Sequence, residues 1–89
     1  MTRILRLPDV IKLSGLSRST IYSYIKKGLW PKQVPLGDRV VGWPLEEVEL
    51  ILRARIAKYT NEDIKVLIDT LMEKRSQKNR EIEYDTGKS

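Results

Sequence analysis

Glycine and proline punctuation in the first third of this chain constrains its fold more than any other feature. Pro8 suits the first turn of a helix, where its missing N–H is unpaired in any case, and Gly15 is the residue best able to take the left-handed conformation that closes one. Ser17 then offers its hydroxyl oxygen to the free N–H of Ser19 or Thr20. The run RSTIYSYIKK that follows contains no glycine or proline until Gly28, and Pro31 forbids continuation. The spacing predicts one helix over residues 8–13 and a second over residues 18–27, joined by a tight turn at Ser14, Gly15 and Leu16. Two short helices joined this way make the pattern of a helix-turn-helix, whose second helix can enter a DNA major groove.

Beyond Pro31, residues 33–36 and 39–43 read as two strands around Gly37 and Asp38. Glycine's tolerance of positive φ suits that turn, and Pro35 marks the first strand as an edge strand. Residues 3–7 can form a further short strand. Pro44 opens a third helix, with Glu46, Glu47 and Glu49 near its positive end and Arg53, Arg55 and Lys58 toward its negative end. Val10 and Leu13 share a face of the first helix, and Val48, Leu52 and either Ile51 or Ile56 supply the buried stripe of the third. Thr60 or Asn61 caps a fourth helix, Asp63 standing three residues after Thr60 as in a capping box. Trp30 and Trp43 flank the hairpin at positions suited to covering the core of a small domain.

The expected architecture is mainly α with a small β-hairpin: a winged helix-turn-helix plus an appended C-terminal amphipathic helix. At 89 residues the chain can build one small domain, taken as residues 1–59, followed by a helix at 60–77 and a polar, disordered tail at 78–89. Ile64, Leu67, Ile68, Leu71 and Met72 form one apolar stripe on that fourth helix. It serves either packing on its own domain or contact with a second copy or partner.

Charge points to the ligand. Residues 1–43 hold eight basic side chains against two acidic ones, whereas residues 44–89 hold nine against ten. A basic first half favours a polyanion. On the second helix Ile21, Ile25 and partly Tyr24 face inward, which leaves Arg18, Ser19, Tyr22, Ser23 and Lys26 outward in a cationic, hydroxylated stripe that contains no acid. Base edges need donors and phosphates need cations, so this stripe is the candidate reading surface. Tyr22 and Tyr24 cannot share one face, and Tyr22 is assigned to DNA while Tyr24 packs. Lys12, Lys27, Lys32 and Arg39 add candidate phosphate contacts, Arg39 through the hairpin acting as a wing.

Catalysis is poorly supplied, because the chain has neither cysteine nor histidine. Asp9, Asp38 or the Glu46, Glu47, Glu49 group could in principle hold magnesium, but the glutamates already suit a helix N-terminus. No enzyme activity, catalytic residue, cofactor or metal is expected. No apolar run reaches the roughly 20 residues that span a bilayer, and the start lacks an apolar stretch long enough for a secretory signal. The expectation is a soluble, cytoplasmic protein associated with the nucleoid through DNA.

The stretch GLSRSTIYSYIKKGLWPKQVPLGDRVVGWPLEEVE resembles the AlpA family of phage-type DNA-binding regulators, related in plan to MerR-like winged helices and small excisionases. The resemblance covers residues 3–55. Its most specific pieces are S-R-S-T-I-Y at Ser17 to Tyr22, G-L-W-P at Gly28 to Pro31, and the L-G-D-R-V-V-G-W hairpin. It implies that Ser17, Arg18, Ser19, Thr20 and Tyr22 lie at the start of the recognition helix and that Arg39 belongs to the wing. The function expected is a sequence-specific double-stranded DNA-binding regulator of a prophage or other mobile element. Two other readings fit the sequence. One is an excisionase-like factor that bends DNA and contacts an integrase. The other is a protein-interaction adaptor acting through the fourth helix. Beside double-stranded DNA, the partners expected of the chain are a second copy, an integrase or RNA polymerase.

Overall fold

The computed structural model describes residues 3–88, with side chains described through Gln77. Its elements in chain order are β1 (Ile4–Leu5), α1 (Leu7–Ser14), α2 (Arg18–Lys27), β2 (Val34–Gly37), β3 (Val40–Pro44), α3 (Leu45–Ile56) and α4 (Asn61–Lys88). This is a winged helix-turn-helix followed by a C-terminal helix, as the punctuation predicts. The polar-tail expectation for residues 78–89 falls outside the residues whose side chains are described, although the α4 backbone runs on to Lys88.

Local chemistry accounts for each helix boundary. Gly15 and Gly28 both adopt positive φ, 75° and 76°, and the N–H of Gly15 returns to the Ile11 carbonyl. Ser17 caps α2 by accepting the Thr20 N–H at 3.2 Å. At the start of α4 a reciprocal capping box forms: Thr60 N–H donates to Asp63 Oδ2 at 3.2 Å, and Asp63 N–H donates to Thr60 Oγ1 at 3.1 Å. Pro44 ends β3 with ψ at 131°, outside the helical range, so α3 begins at Leu45, one position later than expected, and the Leu45 N–H donates to the Arg3 carbonyl at 2.8 Å.

The sheet has three antiparallel strands in the order β1-β3-β2, so residues 3–7 do supply a strand, paired through Ile4 with Pro44 and Leu5 with Trp43. Pro35 lies on the edge strand β2, where a missing N–H is tolerated, and an irregularity separates Pro35 from Gly37. The turn departs from expectation. Gly37 stays in the strand, paired with Val40, and the positive φ falls on Arg39 at 61°. Gly42 is required for a different reason: a Cβ there would collide with Ile4 Cγ2 and sit 2.9 Å from the Leu5 carbonyl oxygen. Only hydrogen at that position lets β1 approach β3.

One apolar core joins all four helices found among the described residues to the sheet. Val10, Ile21, Trp30, Trp43, Val48, Ile51 and Ile64 are essentially solvent-free, and the Trp43 indole N–H donates to the buried Pro31 carbonyl at 2.8 Å. Each such aliphatic side chain contributes about 1.5–3 kcal/mol on burial. Two expectations for the stripes need correction. Leu13 is 49% exposed rather than buried beside Val10, and Ile56 is 82% exposed, the α3 stripe being Val48, Ile51 and Ala54. Periodicity left Ile51 and Ile56 open. They lie about 140° apart around a 3.6-residue helix, and the core takes up Ile51, which joins the cluster that holds Trp43 and Ile64.

The C-terminal stripe divides in a similar way. Ile64, Ile68 and Leu71 are buried in the chain's own core, and Leu67 and Met72 pack against it half-buried. As a stripe facing a partner, Ile64, Ile68 and Leu71 are therefore withdrawn. The core of residues 1–59 is not closed without α4, because Ile64 enters the same cluster as Ile21 and Ile51. Polar contacts reinforce that docking. Arg75 Nε donates to Glu47 Oε2 at 3.0 Å, and Nη2 of the same guanidinium reaches Oε1.

Candidate nucleic-acid interface

The candidate interface starts from the amino end of α2. Ser17, Arg18 and Ser19 are exposed there, Thr20 and Ser23 are half-buried, and Lys26 and Lys27 are exposed at the far end. Hydroxyls organise the first turn: Ser17 donates to Thr20 Oγ1 at 2.9 Å and lies 3.3 Å from Ser19 Oγ. Ser17 and Thr20 are thus engaged in shaping the helix start. Arg18 and Ser19 remain the side chains there that are exposed and free of helix-capping duty.

Tyr22 is less outward than its position on the stripe suggests. Its ring packs edge-on against Trp43, centroids 6.4 Å apart and planes at 67°, while the Arg18 guanidinium lies 6.0 Å from the ring centroid on the solvent side. It is half-buried, one flank in the core and one beside Arg18. Helix spacing explains the second contact, since residues four apart stack along one face. The first contact joins α2 to β3, elements that no local spacing relates. Tyr24 packs as expected, under the guanidinium of Arg55 at 5.4 Å.

Around α2 the remaining candidates are distributed over separate elements. Lys12 is exposed on α1, Lys32 is exposed between α2 and β2, and Arg39 is exposed at the hairpin turn. Arg3 and Arg6, at the entrance to α1, are exposed as well. The sequence signal for them is the basic excess of the first half. Between Asp9 and Asp38 the chain contains no acidic residue, so α2 and the segments adjoining it in sequence offer cations and hydroxyls but no carboxylate to a phosphate. A non-glycine residue at positive φ is uncommon and costs local strain, and the wing turn places an exposed arginine there. Among the described residues no helix is long and apolar enough to cross a membrane.

Similarity to known proteins lies in the part of the chain that carries these elements. Residues 3–56 match the family described as prophage CP4-57 regulatory protein (AlpA). The chain is 53% identical over 55 residues to the uncharacterized protein ORF88 of Enterobacteria phage P4, a match spanning 62% of each chain. It is 39% identical over 59 residues to the DNA-binding transcriptional activator AlpA of Escherichia coli K12, covering 60% of this chain and 84% of that one. No solved structure matches. The region matched by the family holds the helix-turn-helix, the hairpin and α3, and leaves α4 outside it.

Proposed function

The chain belongs to the AlpA family of prophage regulatory proteins, and from that premise we propose that it is a sequence-specific, double-stranded DNA-binding transcriptional regulator of a prophage or other mobile element. In this reading α2 enters the major groove with Arg18, Ser19, Tyr22 and Ser23 toward base edges. Ser17 and Thr20 shape the helix start beside the backbone, and Lys26, Lys27, Lys32 and Arg39 neutralise phosphates, the wing of residues 33–43 reaching the backbone or minor groove. The observation that supports it best is the exposed, acid-free cationic surface of α2 within a winged helix-turn-helix. The description of the E. coli relative as a DNA-binding transcriptional activator points the same way. The adaptor reading loses support because most of its apolar stripe lies in the chain's own core.

The proposal is tested by selecting bound duplexes from a random pool and titrating the winner and a scrambled control against salt. Neutralising four to six phosphates gives a log–log slope of about −4 to −5. Affinity indifferent to salt, or no enriched duplex, would overturn the reading. Placing the selected site then separates regulator from excision factor. If the site adjoins an attachment sequence and excision needs the protein while transcripts never respond to it, the excisionase-like reading replaces the regulator.

A further inference from the structure

We infer that Arg55 is a positioning residue for the reading helix, its guanidinium pinning the Tyr24 flank of α2 and tying that flank to the start of α4. The inference rests on the reading of α2 given under Proposed function. Arg55 stands on α3, with its Cζ 5.4 Å from the Tyr24 ring centroid, and its Nη1 donates to Asn61 Oδ1 at 3.1 Å. Its Nη2 is buried without a hydrogen-bond partner, and no carboxylate lies within ion-pair distance of it among the described residues. With Nη2 out of water and only a ring face and one amide for partners, this half-buried guanidinium is a costly way to fill space. An unbranched apolar side chain of similar length would pack there at least as well.

A guanidinium supplies what an apolar chain lacks, a plane that stacks and donors fixed in direction. Helix α2 needs such a fixture, because Ile21 sets its depth in the core but a cylinder can still roll. Tyr22 and Tyr24 leave it about 200° apart, at 100° per residue. Tyr22 braces one flank against Trp43 and Tyr24 the other against Arg55. A cavity of about 310 Å³ lies elsewhere, at Arg3 and Leu13, but one of about 230 Å³ borders Tyr24, Trp30, Leu52 and Arg55 themselves. Without the pin the Tyr24 ring has room to swing, and a roll of α2 would sweep Arg18, Ser19 and Ser23 past their targets. Base-edge contacts tolerate only about 10–20° of such error.

The test uses the full chain as wild type, Arg55→Met, Arg55→Lys and Tyr24→Leu, each measured for thermal unfolding and for affinity to the selected duplex and to a scrambled one. The expected result is that Arg55→Met melts at or above the wild-type temperature while binding the selected duplex about tenfold more weakly and the scrambled duplex unchanged. Arg55→Lys, which keeps the charge and loses the plane, should show the same loss of preference. Tyr24→Leu should lose it too, and combining it with Arg55→Met should add little. A folded Arg55→Met with wild-type preference overturns the inference, as does an equal loss on both duplexes, which is a simple charge effect. Should Arg55→Met fail to fold, a folded Tyr24→Leu that retains preference overturns it equally. Wild-type protein that prefers no duplex removes the underlying DNA reading instead, and shows this before any variant is made.

Discussion

The guanidinium of Arg75, midway along α4, clasps both carboxylate oxygens of Glu47 in the first turn of α3, joining residues far apart in sequence across a partly buried boundary. Glu47 is a charged side chain buried by relative exposure, at 7%. Its partner comes from outside the region matched by the family, which ends at residue 56.

Removing one member of this pair should cost more than removing both. Arg75→Met leaves the Glu47 carboxylate buried and uncompensated, an effect of about 2–3 kcal/mol given the partial exposure of the arginine. The double variant Glu47→Gln with Arg75→Met should recover most of that loss. Urea unfolding of the three variants measures it, and additive losses would show that the two side chains act independently.

The wing turn sets stability against binding. Arg39 occupies positive φ, so Arg39→Gly should relieve strain and raise stability by a few tenths to about 1 kcal/mol. The same change should weaken all duplexes alike and reduce the salt slope by about 1. Melting temperature and a salt titration on one protein preparation check both halves. A destabilised Arg39→Gly would mean that the arginine side chain makes a stabilising contact that outweighs its backbone strain.

Gly42→Ala should be among the most damaging single-methyl additions in the chain. Its new Cβ meets Ile4 and the Leu5 backbone oxygen, and overpacking of this sort costs about 1–3 kcal/mol. Because the backbone carbonyl cannot move aside as a side chain can, loss of the β1–β3 pairing should accompany it. Amide exchange at Leu5 and Trp43 measures that pairing directly.

Docking of α4 predicts the behaviour of truncations. Ile64→Ala should cost about 2–4 kcal/mol, and a chain ending before residue 60 should lose cooperative unfolding, because Ile64, Ile68 and Leu71 complete the core. Leu67→Asp, at a half-buried position, should be milder. A fully folded 1–59 fragment would show instead that α4 is an accessory element.

Much of this architecture is set by local chemistry and was therefore legible in the residues themselves. Gly15 closes α1 and Ser17 and Gly28 bound α2, through left-handed φ and a side-chain cap, interactions spanning three or four residues at most. Thr60 and Asp63 fix the start of α4 in the same way. The acid-free run between Asp9 and Asp38 is a property of composition, and with the helix bounds it delimits the DNA-facing candidates. What crosses between elements was decided only by the tertiary structure. Periodicity could not choose between Ile51 and Ile56, or say whether Ile64 faces its own core or another molecule, since a stripe shows which residues share a face and not what meets that face. Tyr22 against Trp43, Arg55 over Tyr24 and Arg75 on Glu47 each join side chains from different elements. Their existence depends on how the helices are turned against the sheet, a geometry set by the fit of the whole core rather than by any short stretch of sequence.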